Sequence, residues 1–233
     1  MAEDAPGVEA LFLFAREAEL RVESLRMHIE ERTVTARGED TVVHEIQLRH
    51  PGRARIVTKR DSEPLTSAYQ VWLSDGHTIQ TFDASNKTTS TRPRRKHVVG
   101  FDEPSLPLFA QQREPLTALP GGSLADAFIH PHGLFRNVLV TGPLAVIGTR
   151  SVAGREAIVV RAEHPRASKV LVDRPDHSIE IGIGRDSGFV LLLIERVGDT
   201  VTRQAQVTRL EIDPTIFDTA FELKLPADTR RLY

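Results

Sequence analysis

Two tight turns between Tyr69 and Pro93 constrain what this chain can fold into. At the first, Ser74-Asp75-Gly76-His77, Asp-Gly supplies the positive φ that a hairpin turn needs, and segments rich in β-branched and aromatic residues flank it. The chain turns again at residues 83–86 and continues with threonine-rich strand composition. The pattern predicts an antiparallel meander whose apolar side carries Tyr69, Val71, Leu73 and Ile79.

The rest of the chain indicates mostly β structure of the α+β class in a single domain over residues 1–233. Apolar residues at three- and four-residue spacing predict the first helix, and Ser123 is a suitable N-cap for a later one. A proline-rich stretch separates two β-rich regions. The predicted order is an N-terminal helix over residues 8–25, a first meander over 26–92, a loop and helix insert over 93–143, and a second meander over 144–233.

Composition excludes several classes of protein. The 233 residues carry a formal net charge of −2, which argues against a general nucleic-acid binder. There are no cysteines, so disulfides, thiol catalysis and thiolate metal sites are excluded. No stretch approaches the roughly 18 apolar residues that a transmembrane helix needs. The acidic N-terminus has no basic region followed by an apolar core, so we expect no signal peptide. The location is cytoplasmic if Met1 is the native start, and extracytoplasmic if a signal or anchor has been removed.

The motifs for chemistry are sparse. His130-Pro131-His132 resembles a metal-ligand or general-base pair, but no Asp, Glu or His stands nearby at a motif's spacing, and we favour a loop that interrupts a helix. Nucleophile elbows, zinc-protease motifs and phosphate-binding loops are absent from the sequence. We therefore predict no enzyme, no catalytic residue, no metal and no cofactor.

A basic cluster follows the central meander. Its side chains could bind a phosphate-bearing headgroup or an acidic partner, although a solvated hairpin end is the simpler interpretation. The cluster comprises Arg92, Arg94, Arg95 and Lys96.

The order of elements resembles the LolA family of outer-membrane lipoprotein carriers and its RseB-type relatives. Four segments carry the resemblance. They are Leu-Arg-His-Pro-Gly-Arg-Ala-Arg (residues 48–55), Val-Trp-Leu-Ser-Asp-Gly-His-Thr-Ile (71–79), Ile-Glu-Ile-Gly-Ile and Arg-Asp-Ser-Gly-Phe-Val-Leu (179–183 and 185–191), and Phe-Glu-Leu-Lys-Leu-Pro-Ala-Asp (221–228). The Asp-Gly hairpin in the second segment is the most specific match.

The resemblance implies an open half-barrel formed by one large antiparallel sheet, with helices covering its concave face and a lipid or acyl chain bound in the apolar hollow. Trp72, the only tryptophan, belongs either to the core or to a ligand wall, because only one face of its strand can line the hollow. From the apolar positions of the predicted elements, the expected lining is Leu11, Phe14, Tyr69, Val71, Trp72, Leu73, Ile79, Phe128 and Leu134.

Three hypotheses follow. The first is a non-enzymatic carrier of a lipid or an acylated lipoprotein. The second is an RseB-like regulatory module that binds an anti-sigma factor or another membrane-associated protein through the basic cluster. The third and weakest is an enzyme that uses His130 or His132.

Overall fold

The computed structural model describes residues 7–60, 68–94, 107–108, 111, 113–139, 142–163 and 176–232. The α-helices are α1 (Val8–Arg16), α2 (Leu124–Ile129) and α3 (His132–Leu139), and 3-10 helices lie at Ala18–Arg21 and Asp218–Phe221. The strands are β1 (Ser24–Thr35), β2 (Gly38–Arg49), β3 (Arg53–Arg60), β4 (Tyr69–Asp75), β5 (Thr78–Asp83), β6 (Thr88–Pro93), β7 (Leu144–Val152), β8 (Arg155–Glu163), β9 (His177–Gly184), β10 (Val190–Val197), β11 (Thr200–Ile212) and β12 (Arg230–Leu232).

The strands form one sheet in the order β12-β6-β5-β4-β3-β2-β1-β11-β10-β9-β8-β7. Strands β1 to β6 pair antiparallel in chain order, as do β7 to β11, so two antiparallel meanders are present, and the second ends at β11 rather than at residue 233. The short strand β12 pairs parallel to β6, so the sheet is mixed at that end. Because β12 and β7 stand at opposite ends of the order, the sheet is open, and the predicted mostly β fold class is confirmed.

The chain divides into two compact units, and each is assembled from several segments of the sequence. The first unit contains α1 to α3 and β7 to β10, and the second contains β1 to β6 and β12. Strand β11 contributes residues 200–206 to the first unit and 207–212 to the second. The assignment of residues 1–233 to a single domain stays a prediction. No helix in the described ranges is long and apolar enough to cross a membrane.

The central hairpin of the second unit forms at the predicted turn. Gly76 adopts φ 97°, a region open to glycine and costly for other residues. The Asp75 carboxylate accepts hydrogen bonds from the backbone N–H groups of His77 and Thr78 at 2.8 and 2.7 Å. These bonds hold the Asp75 pKa below its usual value: burial opposes the shift, but the bonds from Thr78 and His77 outweigh it. Local chemistry therefore fixes this turn.

The β1–β5 meander buries different side chains on its two faces. Cross-strand partners share a face, and the register therefore groups Val57, Val71 and Phe82, against which Tyr69 and Leu223 pack. The opposite face buries Leu25, Met27, Ile29, Ile46, Leu48, Ala54 and Ile56 at one end of β1, β2 and β3, whereas its other end carries Glu31, His44 and Thr58.

The first unit begins with a helix shorter than the one predicted. Helix α1 ends at Arg16, the 3-10 helix Ala18–Arg21 follows, and β1 begins at Ser24, so one helix over residues 8–25 is wrong. The Arg21 guanidinium donates to the carbonyl oxygens of Phe14 and Ser187 at 2.8 and 3.1 Å, and these bonds hold the chain out of a continued α-helix.

Helix α2 begins as predicted. Ser123 is its N-cap, and the Ser123 hydroxyl accepts a hydrogen bond from the Asp126 N–H at 3.1 Å. Helix α2 packs against β10, and α1 contacts β7. All eight residues of β9 are buried, whereas most of β7 is exposed. The helices and β8–β10 therefore supply the buried apolar side chains of this unit.

Candidate ligand-binding site

Aromatic side chains join the helices of the first unit. The rings of Phe12 on α1 and Phe135 on α3 stack with centroids 4.1 Å apart and planes only 4° from parallel. Both side chains are fully buried, as is Phe128 on α2. The three helices thus share an apolar side, and an acyl chain could contact the same residue types.

The four helical residues expected to line a cavity differ in their exposure. Leu11 and Phe128 are buried, and Phe14 and Leu134 are half-buried. The Arg21 guanidinium carbon lies 4.1 Å from the centre of the Phe14 ring, in cation–π geometry. Phe12, which the helical spacing did not single out, is therefore more buried than Phe14.

The five strand residues expected in the lining lie on two faces of β4 and β5. Tyr69, Val71 and Leu73 share one face by their two-residue spacing, and Val71 and Leu73 are buried there. Ile79 pairs with Ser74, which places Ile79 on the opposite face together with Trp72. Both Trp72 and Ile79 are half-buried. The prediction that Ile79 shares a side with Tyr69, Val71 and Leu73 is wrong.

The predicted interruption of the helix is present, since α2 ends at Ile129 and α3 begins at His132, and within it His130 belongs to a buried charged triad. His130 Nε2 lies 3.1 Å from a Glu19 carboxylate oxygen, and His130 Nδ1 lies 3.0 Å from an Asp126 carboxylate oxygen. The side chains of His130 and Glu19 are only 3% and 4% exposed. Burial alone would lower the pKa of His130, but the hydrogen bonds and charges of Asp126 and Glu19 outweigh it and raise the pKa to about 9. With both ring nitrogens engaged, His130 serves as a buried ion-pair residue.

His132 is not a member of this triad, although the charges of Asp126 and His130 act on it. It begins helix α3 and is half-buried, and its burial lowers its pKa. Among the described residues, no group of three or more His, Cys, Asp or Glu side chains could hold a metal ion.

The basic cluster is only partly within the described ranges. Arg92 is exposed at the end of β6, and Arg94 is half-buried, with its N–H donating to the His77 carbonyl at 2.7 Å. Arg95 and Lys96 lie outside the described residues.

Sequence reasoning missed Phe12, Phe135, Glu19 and Asp126. The expectation that His130 has no acidic neighbour at a helical spacing is wrong, because Asp126 precedes it by four residues and is its partner. Phe135 follows Phe128 by seven residues, which is two helical turns, so its place on the apolar side of the insert could have been predicted. Phe12 lies next to the apolar positions that predicted the first helix and is not one of them. Glu19 carries no signal, because its partner His130 is 111 positions away.

Solved structures of similar fold include MucB, with a TM-score of 0.53 and 16% identity over 92% of this chain. The complex of Pseudomonas aeruginosa MucA and MucB gives a TM-score of 0.52 with 15% identity. The chain therefore shares its fold with MucB, which confirms the predicted resemblance at the level of the fold, and at 16% identity the likeness shows the fold alone.

The chain matches these structures over different shares of their length. It covers 62% of the MucB chain and 60% of the chain in the MucA/MucB complex. An uncharacterized conserved protein from Thermus thermophilus is matched over 99% of its length, with a TM-score of 0.53 and 8% identity over 97% of this chain. Neither a protein-family model nor a curated protein sequence matches the chain.

Proposed function

We propose that the chain is a non-enzymatic binding protein that holds an acyl chain between the helices and the sheet of its first unit. The observation that carries this proposal is the number of large apolar side chains buried in both layers, beside the buried charges of Glu19 and His130 on the helical side and Glu180 on β9. Helices α1, α2 and α3 bury large side chains, and β8, β9 and β10 bury runs of aliphatic ones. The helical set is Leu11, Phe12, Phe128, Ile129, Phe135 and Val138, and the strand set includes Ile158, Val160, Ile181, Ile183, Leu191 and Leu193.

The helices are short enough for a ligand to displace. Helices α1, α2 and α3 contain nine, six and eight residues. Isolated helices below about 12 residues are marginal in water, so packing against neighbours holds these in place. An acyl chain that enters the layer can replace those packing contacts with its own.

The energetics favour long-chain ligands. Burial contributes roughly 0.8 kcal/mol per methylene, so ten methylenes contribute about 8 kcal/mol before the costs of association and of opening the layer. Short-chain acids should therefore bind much more weakly than long-chain ones.

The first test is native mass spectrometry of the purified protein, followed by organic extraction and lipid analysis. A lipid adduct that disappears on extraction would support the proposal and give the ligand class. A clean protein mass together with no uptake of a dansyl-labelled fatty acid would overturn it.

Paired variants then test the location. Leu134→Asp puts a charge at a half-buried position of α3, and we expect it to weaken binding of the dansyl-labelled acid at least tenfold. Leu20→Asp is the control, because Leu20 is 42% exposed in the same unit. Equal affinities of the two variants would contradict this location.

A second candidate is a protein-binding module, which the MucA complex of the similar MucB favours. In this case the exposed Arg92 and the neighbouring Arg94 would contact an acidic segment. An Arg92→Glu/Arg94→Glu variant should then lose binding of a labelled acidic peptide while its uptake of the dansyl-labelled acid is unchanged. The opposite pattern would favour the acyl carrier.

A further inference from the structure

A cleft of about 670 Å³ opens in the second unit, where the start of β1, the β2–β3 turn and the exit of β11 meet. Apolar side chains of Val22, Leu116 and Ile216 line it together with the polar residues Glu23, Asp213 and Arg49. Its volume lies within the roughly 300–1,000 Å³ of small-ligand pockets and accommodates a few side chains.

The polar floor of this cleft is preformed. One carboxylate oxygen of Asp213 accepts hydrogen bonds from the N–H groups of Glu23 and Ser24 at 2.6 and 3.1 Å. The Asp213 N–H donates to the Ser24 carbonyl at 2.9 Å, and the Ser24 hydroxyl donates to the Pro214 carbonyl at 2.7 Å. Asp213 adopts φ 53°, a left-handed conformation that Asp tolerates better than most residues. A ligand therefore meets a floor that is already ordered.

Large apolar side chains are exposed at the cleft. Leu116, which lines it, is 38% exposed, and Phe217, which directly follows the lining residue Ile216, is 71% exposed. Exposed aromatic and aliphatic side chains grouped at a concave site are typical of interaction surfaces.

The charge at the cleft is negative. Its cation, Arg49, donates to the Ile216 carbonyl at 2.8 Å and pairs with Asp218. Within the part of the chain that the structure describes, Glu23 and Asp213 form no ion pair, and both residues are exposed. Two carboxylates beside an apolar wall attract a cation attached to an apolar group, and they repel anionic lipid headgroups and fatty-acid carboxylates.

We propose that this cleft binds an extended peptide segment of a partner protein, in which a Lys or Arg stands beside a bulky apolar residue. The apolar side chain contacts Leu116 and Val22, and the cationic one contacts the carboxylates of Glu23 and Asp213. This proposal is independent of acyl binding in the first unit, because it uses other residues.

The test is selection of phage-displayed random heptapeptides on the full chain, followed by fluorescence anisotropy with the enriched peptides in synthetic form. The loss-of-site variant combines Glu23→Gln, Asp213→Asn and Leu116→Ser. Asn keeps an acceptor oxygen and tolerates the φ of residue 213, so the floor is retained. We expect enriched peptides to pair a basic with an apolar residue and to bind this variant at least tenfold more weakly.

The control combines Glu222→Gln with Val34→Ser, which removes one charge and one exposed apolar side chain from the same unit. It should bind the peptides as the unaltered chain does. Failure to enrich any peptide, enrichment of peptides without basic residues, or equal binding to the loss-of-site variant would each overturn the proposal. Displacement of the peptides by the dansyl-labelled fatty acid would also overturn it, because the cleft would then be a lipid site.

Discussion

The triad of Glu19, His130 and Asp126 makes the free energy of unfolding depend on pH. Unfolded His130 has a pKa near 6.5, and the folded value is about 9. Below pH 6.5 the proton is bound to His130 in both the folded and the unfolded state, and the triad makes its full contribution to the free energy of unfolding. As the pH rises from 6.5 through 9, the stabilisation is lost, by about 3 kcal/mol.

Urea unfolding at pH 6 and pH 9.5 measures this loss. His130→Gln should remove most of the difference between the two pH values, because glutamine does not titrate. His77→Gln is the control, since His77 is an exposed turn residue. An unchanged pH dependence in His130→Gln would contradict the role assigned to the triad.

Gly52 is required for a second reason besides its φ of 81°. A Cβ at Gly52 would lie 2.9 Å from the Gly76 Cα, whereas a Cβ at Gly76 would lie 3.8 Å from the Gly52 Cα. The Gly52 N–H also donates to the Thr117 hydroxyl at 2.7 Å. Two backbone turns therefore approach each other at a distance that only glycine permits.

Alanine substitutions separate the two effects. Both Gly52→Ala and Gly76→Ala add a side chain at positive φ, which costs on the order of 1 kcal/mol, and only Gly52→Ala adds a backbone clash. We expect thermal unfolding to show a clearly lower stability for Gly52→Ala than for Gly76→Ala. Equal losses would mean that the approach of the turns contributes nothing.

At the scale of elements, the Phe12–Phe135 stack connects helices α1 and α3. Truncating a buried phenylalanine to alanine lowers the free energy of unfolding by about 3–5 kcal/mol. The stacked pair should contribute a coupling energy of about 0.5–1.5 kcal/mol. A double-mutant cycle with Phe12→Leu and Phe135→Leu, followed by urea unfolding, measures the coupling. Phe217→Leu, at a 71% exposed position, should change stability by less than about 0.5 kcal/mol. Strictly additive effects of the two core substitutions would contradict a direct contact.

Elements fixed by neighbouring residues could be predicted from the sequence. The Asp75–Gly76 turn and the Ser123 cap depend on contacts within three residues, and both are present. The end of α1 could not be predicted, because Arg21 is held by Ser187, 166 positions away. The apolar spacing continues through Val22, so the pattern alone extends the helix too far.

The candidate site was predictable only in part, for the same reason. Two-residue spacing shows that Trp72 and Val71 face opposite sides, but the pairing of Ser74 with Ile79 is needed to place Ile79 beside Trp72. The Glu19–His130 pair joins residues from distant segments, and no local pattern indicates it.

At the scale of the whole molecule, the way in which the two units are assembled from segments of the sequence predicts cooperative unfolding. Both units contain segments from distant parts of the sequence, and β11 belongs to both. Loss of one unit therefore interrupts β11 between Gln206 and Val207, in the middle of a strand that continues into the other unit. We expect a single transition, although the chain is large enough for intermediates to be common.

Two reporters test this prediction. Trp72 is the only tryptophan and reports on the second unit, and a dye on Leu20→Cys reports on the first, because the chain has no other cysteine. Coincident urea midpoints are expected, and well-separated midpoints would show that the units unfold independently.

Strand β7, at one end of the sheet order, affects how copies of this chain behave at high concentration. The β7–β8 register shifts between Val146 and Gly148, Gly148 adopts φ 138°, and Ile147 is 48% exposed. An uninterrupted open edge invites a strand from another molecule to add to it. The bulge breaks the regular series of backbone donors and acceptors, so we expect β7 to be a poor template for a strand from another copy.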